Sequence, residues 1–178
     1  SISPLDGRYS SETEELLPYF SERALIRYRI KVEIEYLIAL SKEKTLVGLP
    51  AFTKKQEAAY RKIYSNFNAS TANEVKKVEQ RTNHDVKAVE YYIRGKVNKS
   101  IHPWIHFALT SEDVNNLSYT LMWRDALKKV YIPQLTQVLK DLKTLSNKYA
   151  DTAMLSMTHG QPATPTTFGK EIRVFVNR

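Results

Sequence analysis

Between Ser111 and Tyr149 the chain has no glycine and a single proline, Pro133, so helix formers run almost unbroken over that span. Its second half sets Ile132, Leu135, Leu139, Leu142 and Leu145 at intervals of three and four, which puts them on one face of a helix. A helix cannot bury such a stripe against itself, and other long helices must cover it. Pro133 lacks an N–H and crowds the preceding turn, so a kink or a split into two nearly collinear helices is expected there. The architecture this demands is all-α.

The preceding residues agree. Ile26, Ile30, Ile34, Leu37 and Leu40 keep one face apolar from Ser21 to Leu40, with Ser21 and Glu22 placed to start that helix. Gly48 and Pro50 then interrupt the chain, and shorter helices are expected over 53–67, 71–80 and 84–96. Gly95 and the cluster Asn98, Lys99, Ser100 mark a boundary between an N-terminal helical domain (1–100) and the first long helices of an incomplete central bundle (101–178). Thr166 or Thr167 should cap a last helix through Glu171, Val174 and Phe175. That helix reaches Arg178 without glycine, proline or a polar tail and reads as cut in its middle. No strand alternation, internal repeat or low-complexity tract stands out.

Composition narrows the function classes. The 178 residues suffice for one domain or two small ones. No apolar run is long enough for a membrane span, and Ser1 to Pro4 has none of the features of a secretion signal. Cysteine is absent, which removes disulfides, thiolate ligands and a cysteine nucleophile. A soluble cytoplasmic protein with no membrane partner is expected. Lys and Arg exceed Asp and Glu by 27 to 19, a net charge of +8 that favours an anionic partner. The cations Lys54, Lys55, Lys76, Lys77, Lys128 and Lys129 are spread along helices without interleaved aromatics, as on solvated helix faces. A small anionic molecule fits better than nucleic acid.

Several polar clusters could carry chemistry, and each also has a plain structural reading. Thr158 to Thr164 sets His159 beside Gly160, Gln161 and Pro162; an imidazole titrates near neutral pH, but the segment could equally be a helix end and a turn. Asp6 and Gly7 form a turn that delivers Arg8, a planar fork for phosphate or carboxylate, and Tyr9. Asn83, His84 and Asp85 sit at a helix start, where backbone N–H groups attract anions, although Thr82 or Asn83 could simply be its cap. Thr110 and Asp113 match a capping box at the next start, beside Ser111. Asn115 and Asn116 are poor helix formers in that first stretch and suggest a functional demand. His102 and His106 are read as packing residues, since no third ligand supports a metal pair and no metal is expected.

In order and spacing, SPLDGRY (3–9), the run Glu79–Tyr91, IHFALTSEDVNNL (105–117) and THGQPATPTTFGKE (158–171) resemble the adenylosuccinate lyases of the fumarase/aspartase superfamily. The likeness spans essentially the whole chain, and the ordered set is far more specific than any one motif. It implies elimination of fumarate from adenylosuccinate to give AMP, and from SAICAR to give AICAR, in purine biosynthesis without a cofactor. It also implies that His159 is the general acid for the departing nitrogen and that Thr110 and Ser111 bind a succinyl carboxylate. Arg8, Tyr9, Asn83, His84 and Asp85 would surround the nucleotide and its phosphate, with Lys87 and Gln161 as secondary candidates. The superfamily's later loop, which carries the catalytic serine, has no counterpart here. An N-terminal fragment of a homotetrameric enzyme, inactive by itself, is therefore expected. Another lyase of the superfamily and a non-catalytic, basic nucleic-acid-binding module are the competing readings.

Overall fold

The computed structural model describes residues 2–178, whose regular elements are helices apart from one short hairpin. They divide into two compact units, one ending at Ala126 and one running from Leu127 to Arg178.

In the first unit a 3₁₀ turn at Glu14–Leu16 leads into α1 (Leu17–Phe20) and then α2 (Glu22–Leu40). Ser21 is extended and its hydroxyl accepts the Ala24 N–H at 3.1 Å, so the residue that ends α1 also caps α2. The expected face of α2 is buried through Ile26, Ile30, Ile34 and Leu37, while Leu40 is only partly covered. Ala24, Tyr28 and Val32 bury a second face. The helix is thus central to the unit, touching α1, α3 (Lys54–Ser65), α4 (Ala69–Thr82), α5 (Asp85–Arg94) and α6 (Ser111–Ala126). Each fully buried isoleucine there contributes roughly 1.5–3 kcal/mol of transfer free energy.

Capping boxes fix the short helices. Thr53 and Gln56 exchange side-chain and backbone bonds at the start of α3, and Asn68 and Thr71 do the same for α4. The α4 helix therefore begins at Ala69, ahead of the expected Thr71, because Thr71 is the third residue of a box and not its cap. The Asn98–Ser100 cluster opens a 3₁₀ turn, Lys99–Trp104, whose Ile101 joins Ile105 in the core with Val75, Val89 and Ile93. The compact unit accordingly continues past residue 100 to the end of α6, where Val114, Ser118, Met122 and Ala126 form the buried face.

The second unit opens with a π-helical turn, Leu127–Tyr131, followed by α7 (Ile132–Lys148). Pro133 lies in the first turn of α7, directly after the π-helical turn, whose wider bond pattern accommodates a residue that has no N–H to donate. The following hairpin pairs β1 (Ala153–Thr158) antiparallel with β2 (Gln161–Thr167) and has an irregular register between Leu155 and Met157. No strand is expected from the sequence of this segment, and the structure differs. Pro162 and Pro165 interrupt any strand alternation, yet they are tolerated because a two-stranded ribbon consists only of edges. Thr167 caps α8 (Phe168–Asn177) by accepting the Lys170 N–H at 3.2 Å.

The crossing of α7 and α8 depends on Gly169. Its N–H donates to the Tyr149 carbonyl at 2.9 Å, and its carbonyl accepts from the Ser146 hydroxyl at 2.8 Å. A Cβ there would run into the Ser146 carbonyl oxygen and come within 2.7 Å of Ala150. Away from this contact Leu135, Val138 and Leu145 on α7 and Phe175 on α8 are exposed.

Candidate functional site

The junction of α4 and α5 is built by one left-handed residue. Asn83 (φ 50°, ψ 35°) ends α4 with its N–H on the Glu79 carbonyl at 2.8 Å, a conformation asparagine tolerates better than most residues. That turn leaves His84, and not Thr82 or Asn83, in the extended cap position of α5. His84 Nδ1 accepts the Lys87 N–H at 3.2 Å, so in the neutral ring the proton sits on Nε2. The imidazole is about half exposed, at 53%.

Asp85 follows as the first residue of α5. One oxygen accepts the Val86 N–H at 2.8 Å and the other lies 2.7 Å from Nη2 of Arg29. Burial would raise this carboxyl group, but the Val86 N–H and the guanidinium outweigh it and hold it below the usual carboxylate range. Arg29 is only 5% exposed and its Nε donates to Asn115 Oδ1 at 2.9 Å. Asn115 Nδ2 in turn donates to Glu112 at 3.0 Å. The poor helix former at 115 is therefore a tie between α6 and α2.

Thr110 and Asp113 form the expected capping box at the start of α6. The Thr110 N–H and hydroxyl both donate to Asp113 Oδ2, at 2.7 and 2.9 Å, and hold that carboxyl below its ordinary range. Ser111 is half-buried at the first position of the helix. One end of this site is thus the α5 start and another the α6 start, linked through α2 by Arg29.

A second ionic cluster involves α2 and α5 as well. His106 Nδ1 is 2.6 Å from Glu33 Oε1, the His106 N–H donates to the other oxygen at 3.2 Å, and Nε2 is 3.9 Å from Glu90. Lys87 reaches Glu90 at 2.9 Å, so its ammonium is engaged by a carboxylate within the protein. Glu33 and Glu90 are 2% and 3% exposed. Burial pushes the Glu33 carboxyl up, and its contacts with His106 offset part of that rise. His106, expected only to pack, thus bridges two buried carboxylates from a left-handed backbone (φ 62°). The signal for this was present: Glu33 falls between Ile30, Ile34 and Leu37, and Glu90 between Val86, Val89 and Ile93, on faces that should be apolar. His102, by contrast, has Nε2 buried without a hydrogen-bond partner among the described residues.

Arg8 and Tyr9 belong to the N-terminal turn, where the Tyr9 N–H donates to the Pro4 carbonyl at 2.8 Å and the guanidinium lies 5.5 Å from the centre of the Tyr9 ring. With Ile2, Ser3 and Pro4 they line a hollow of about 390 Å³. Asp6 accepts N–H bonds from Ile2 and Ser3, which hold its carboxyl below the ordinary value and fix the turn.

His159 and Gln161 belong to the second unit. Thr158 pairs with Gln161 across the hairpin, leaving His159 (φ 50°) and Gly160 (φ 76°) as a two-residue turn of the type that suits strand twist. His159 caps no helix, and its ring is exposed at the hairpin tip. A histidine with positive φ is uncommon and its conformation is held here by strand pairing on both sides. Among the described residues no three His, Asp or Glu side chains form a metal-binding group.

Residues 7–178 match the protein family described as Lyase. Among curated proteins, the adenylosuccinate lyase of Legionella pneumophila (strain Corby) is 48% identical over 183 residues, covering 100% of this chain and 40% of that protein. The adenylosuccinate lyase of Dictyostelium discoideum is 46% identical over 186 residues, again covering 100% and 40%. The Escherichia coli protein of the same name is 41% identical over 177 residues, covering 97% and 39%. The chain thus spans about 40% of the length of these relatives. Among solved structures, a fumarate lyase from Mesorhizobium superposes with a TM-score of 0.72 at 19% identity, over 92% of this chain and 37% of that one. A β-carboxy-cis,cis-muconate cycloisomerase from Acinetobacter calcoaceticus follows with a TM-score of 0.67 at 19% identity, with the same coverage. These two likenesses speak to the fold.

Proposed function

Since the chain belongs to the lyase family, we propose that its residues serve an adenylosuccinate lyase, which eliminates fumarate from adenylosuccinate to leave AMP and from SAICAR to leave AICAR. The C–N bond to the succinyl group breaks as a base removes the proton from the neighbouring carbon. The C–H electron pair becomes the double bond of fumarate. The departing nitrogen keeps the C–N pair and takes a proton from His159. No residue here is assigned as the base.

The observation that carries this reading is the pair of helix starts, His84–Asp85 on α5 and Thr110–Ser111 on α6, joined through buried Arg29 and Asn115. Helix N-termini offer N–H groups and a positive dipole end to carboxylates and phosphate. Removing a proton beside a carboxylate builds negative charge there, and preorganised donors stabilise it. In this reading Thr110 and Ser111 take a succinyl carboxylate, and Arg8, Tyr9, Asn83, His84 and Asp85 surround the nucleotide, with Lys87 and Gln161 as secondary candidates. The exposed, strand-held ring of His159 suits a proton donor that must reach solvent between turnovers.

Purine biosynthesis in the cytoplasm, a homotetramer and the absence of a cofactor, nucleic-acid or membrane partner belong to the same proposal. So does a division at residue 100 into an N-terminal domain and the start of a central bundle. No helix among the described residues is long and apolar enough to cross a membrane.

The test is fumarate release by the full-length protein carrying these residues, offered adenylosuccinate and argininosuccinate separately. Release from adenylosuccinate alone is expected. Release only from argininosuccinate would make it another lyase of the superfamily, and release from neither would overturn the proposal. The 178 residues by themselves, at about 40% of the length of the curated relatives, are expected not to turn over either substrate.

A further inference from the structure

Arg29 is 5% exposed in α2, the helix against which α1, α3, α4, α5 and α6 pack, flanked along the chain by Tyr28 and Ile30. Taking a guanidinium out of water is unfavourable unless its donors are matched, and an apolar residue of similar volume would often serve stability as well. The side chain uses its shape. Nη2 points to Asp85, the first residue of α5, at 2.7 Å, and Nε points to Asn115, near the start of α6, at 2.9 Å. The two partners lie on different helices, and each sits within a few residues of a candidate substrate-binding pair, His84–Asp85 or Thr110–Ser111.

We infer that Arg29 is a positioning residue: its guanidinium fork sets the α5 start against the α6 start, so that both helix ends address one anionic substrate. The inference rests on the lyase reading of those two segments. The pairing also resolves an electrostatic conflict. Asp85 is a carboxylate placed where an anion must bind, and with Arg29 at 2.7 Å the pair carries no net charge. An incoming anion then meets no uncompensated carboxylate at the α5 start. Lysine could not replace this function, since a point charge on a flexible stem satisfies one partner and leaves the other.

The test uses the full-length protein with Arg29→Met, which keeps an apolar stem of comparable bulk, and Arg29→Lys, which keeps the charge. In steady-state fumarate release, Arg29→Met is expected to lower kcat/KM by about 10- to 100-fold, with KM for adenylosuccinate raised by about tenfold. Arg29→Lys is expected to recover part of the loss. A purely structural role would lower the melting temperature and the active fraction while leaving KM unchanged, and would overturn the inference. Arg29→Lys behaving as wild type would overturn it as well.

Hydrogen exchange in the same proteins gives a readout independent of turnover. Faster exchange in Arg29→Met confined to peptides over 84–90 and 111–117 is expected. Exchange unchanged there, or raised evenly across the first unit, would contradict the coupling. If the wild-type protein releases no fumarate, the lyase reading fails by itself, and the exchange pattern still decides whether Arg29 ties the two helix starts.

Discussion

In the first unit Arg29, Glu33 and Glu90 lie buried among Ile30, Ile34, Val89 and Ile93, whereas in the second Leu135, Val138 and Phe175 are exposed away from one tight helix crossing, as is Leu155 on the hairpin. The first arrangement forgoes some stability, because buried ion pairs are often matched or bettered by apolar residues of the same size. What it gains is fixed geometry at the starts of α5 and α6. The second arrangement holds His159 on a ribbon and leaves an apolar surface of the kind other helices cover. Under the proposed function, substrate binding falls to the first unit and proton donation to the second.

The largest effect is expected at the hairpin tip. His159→Ala in the full-length protein should lower kcat for fumarate release by about 10²- to 10⁴-fold, the usual worth of a positioned acid, with KM little changed. A loss smaller than about threefold would leave the second unit without a chemical role and break the contrast.

Next come the two kinds of packing. Ile34→Ala, at a fully buried position, should cost about 2–5 kcal/mol, whereas Leu135→Ala, at a position 43% exposed, should cost less than about 1 kcal/mol in the 178-residue chain. Gly169→Ala is the exception in the second unit: overpacking against Ser146 and Ala150 should cost about 1–3 kcal/mol or more. Urea titration followed by circular dichroism checks all three. Equal losses at residues 34 and 135 would mean that the stripe on α7 is covered within this chain.

Glu33 supplies a pH test. Burial raises its carboxyl in the folded state above the ordinary 4.5, so the folded protein holds that proton more tightly than the unfolded one. Its contribution to stability is complete below pH 4.5 and is lost as pH rises through the raised value. Glu33→Gln should therefore remove a downward component of stability over that window. Parallel stability–pH curves for wild type and variant would contradict this account of the buried cluster.

The smallest effect concerns a cap remote from the site. Thr53→Ala should cost about 1 kcal/mol through loss of the capping box of α3, with fumarate release by the full-length protein unchanged.

Helix existence was legible in the sequence because the evidence for it is local. Ser21, Thr53 and Thr167 cap their helices through their own neighbours, and the spacing of Ile26, Ile30, Ile34 and Leu37 fixes a face without reference to the rest of the chain. The polar clusters at 83–85 and 110–111 were legible as well, being contiguous. The hairpin was not, since prolines mask its pairing and the ribbon has no buried face to impose alternation. Nor was the Glu33–His106–Glu90 cluster, whose members lie up to 73 residues apart and meet only once α2, α5 and the connector pack. The tie from Arg29 to Asp85 and Asn115 is of the same long-range kind.

The division of labour between the units is tested most directly by calorimetric titration of adenylosuccinate into the full-length His159→Ala protein, with and without Ser111→Ala. The account predicts saturable binding to the His159→Ala protein, because the binding donors lie in the other unit. It also predicts affinity weaker by at least about tenfold once the Ser111 hydroxyl is removed, the scale of one hydrogen bond to a charged group. Binding abolished by His159→Ala alone, or left unchanged by the added Ser111→Ala, would contradict it.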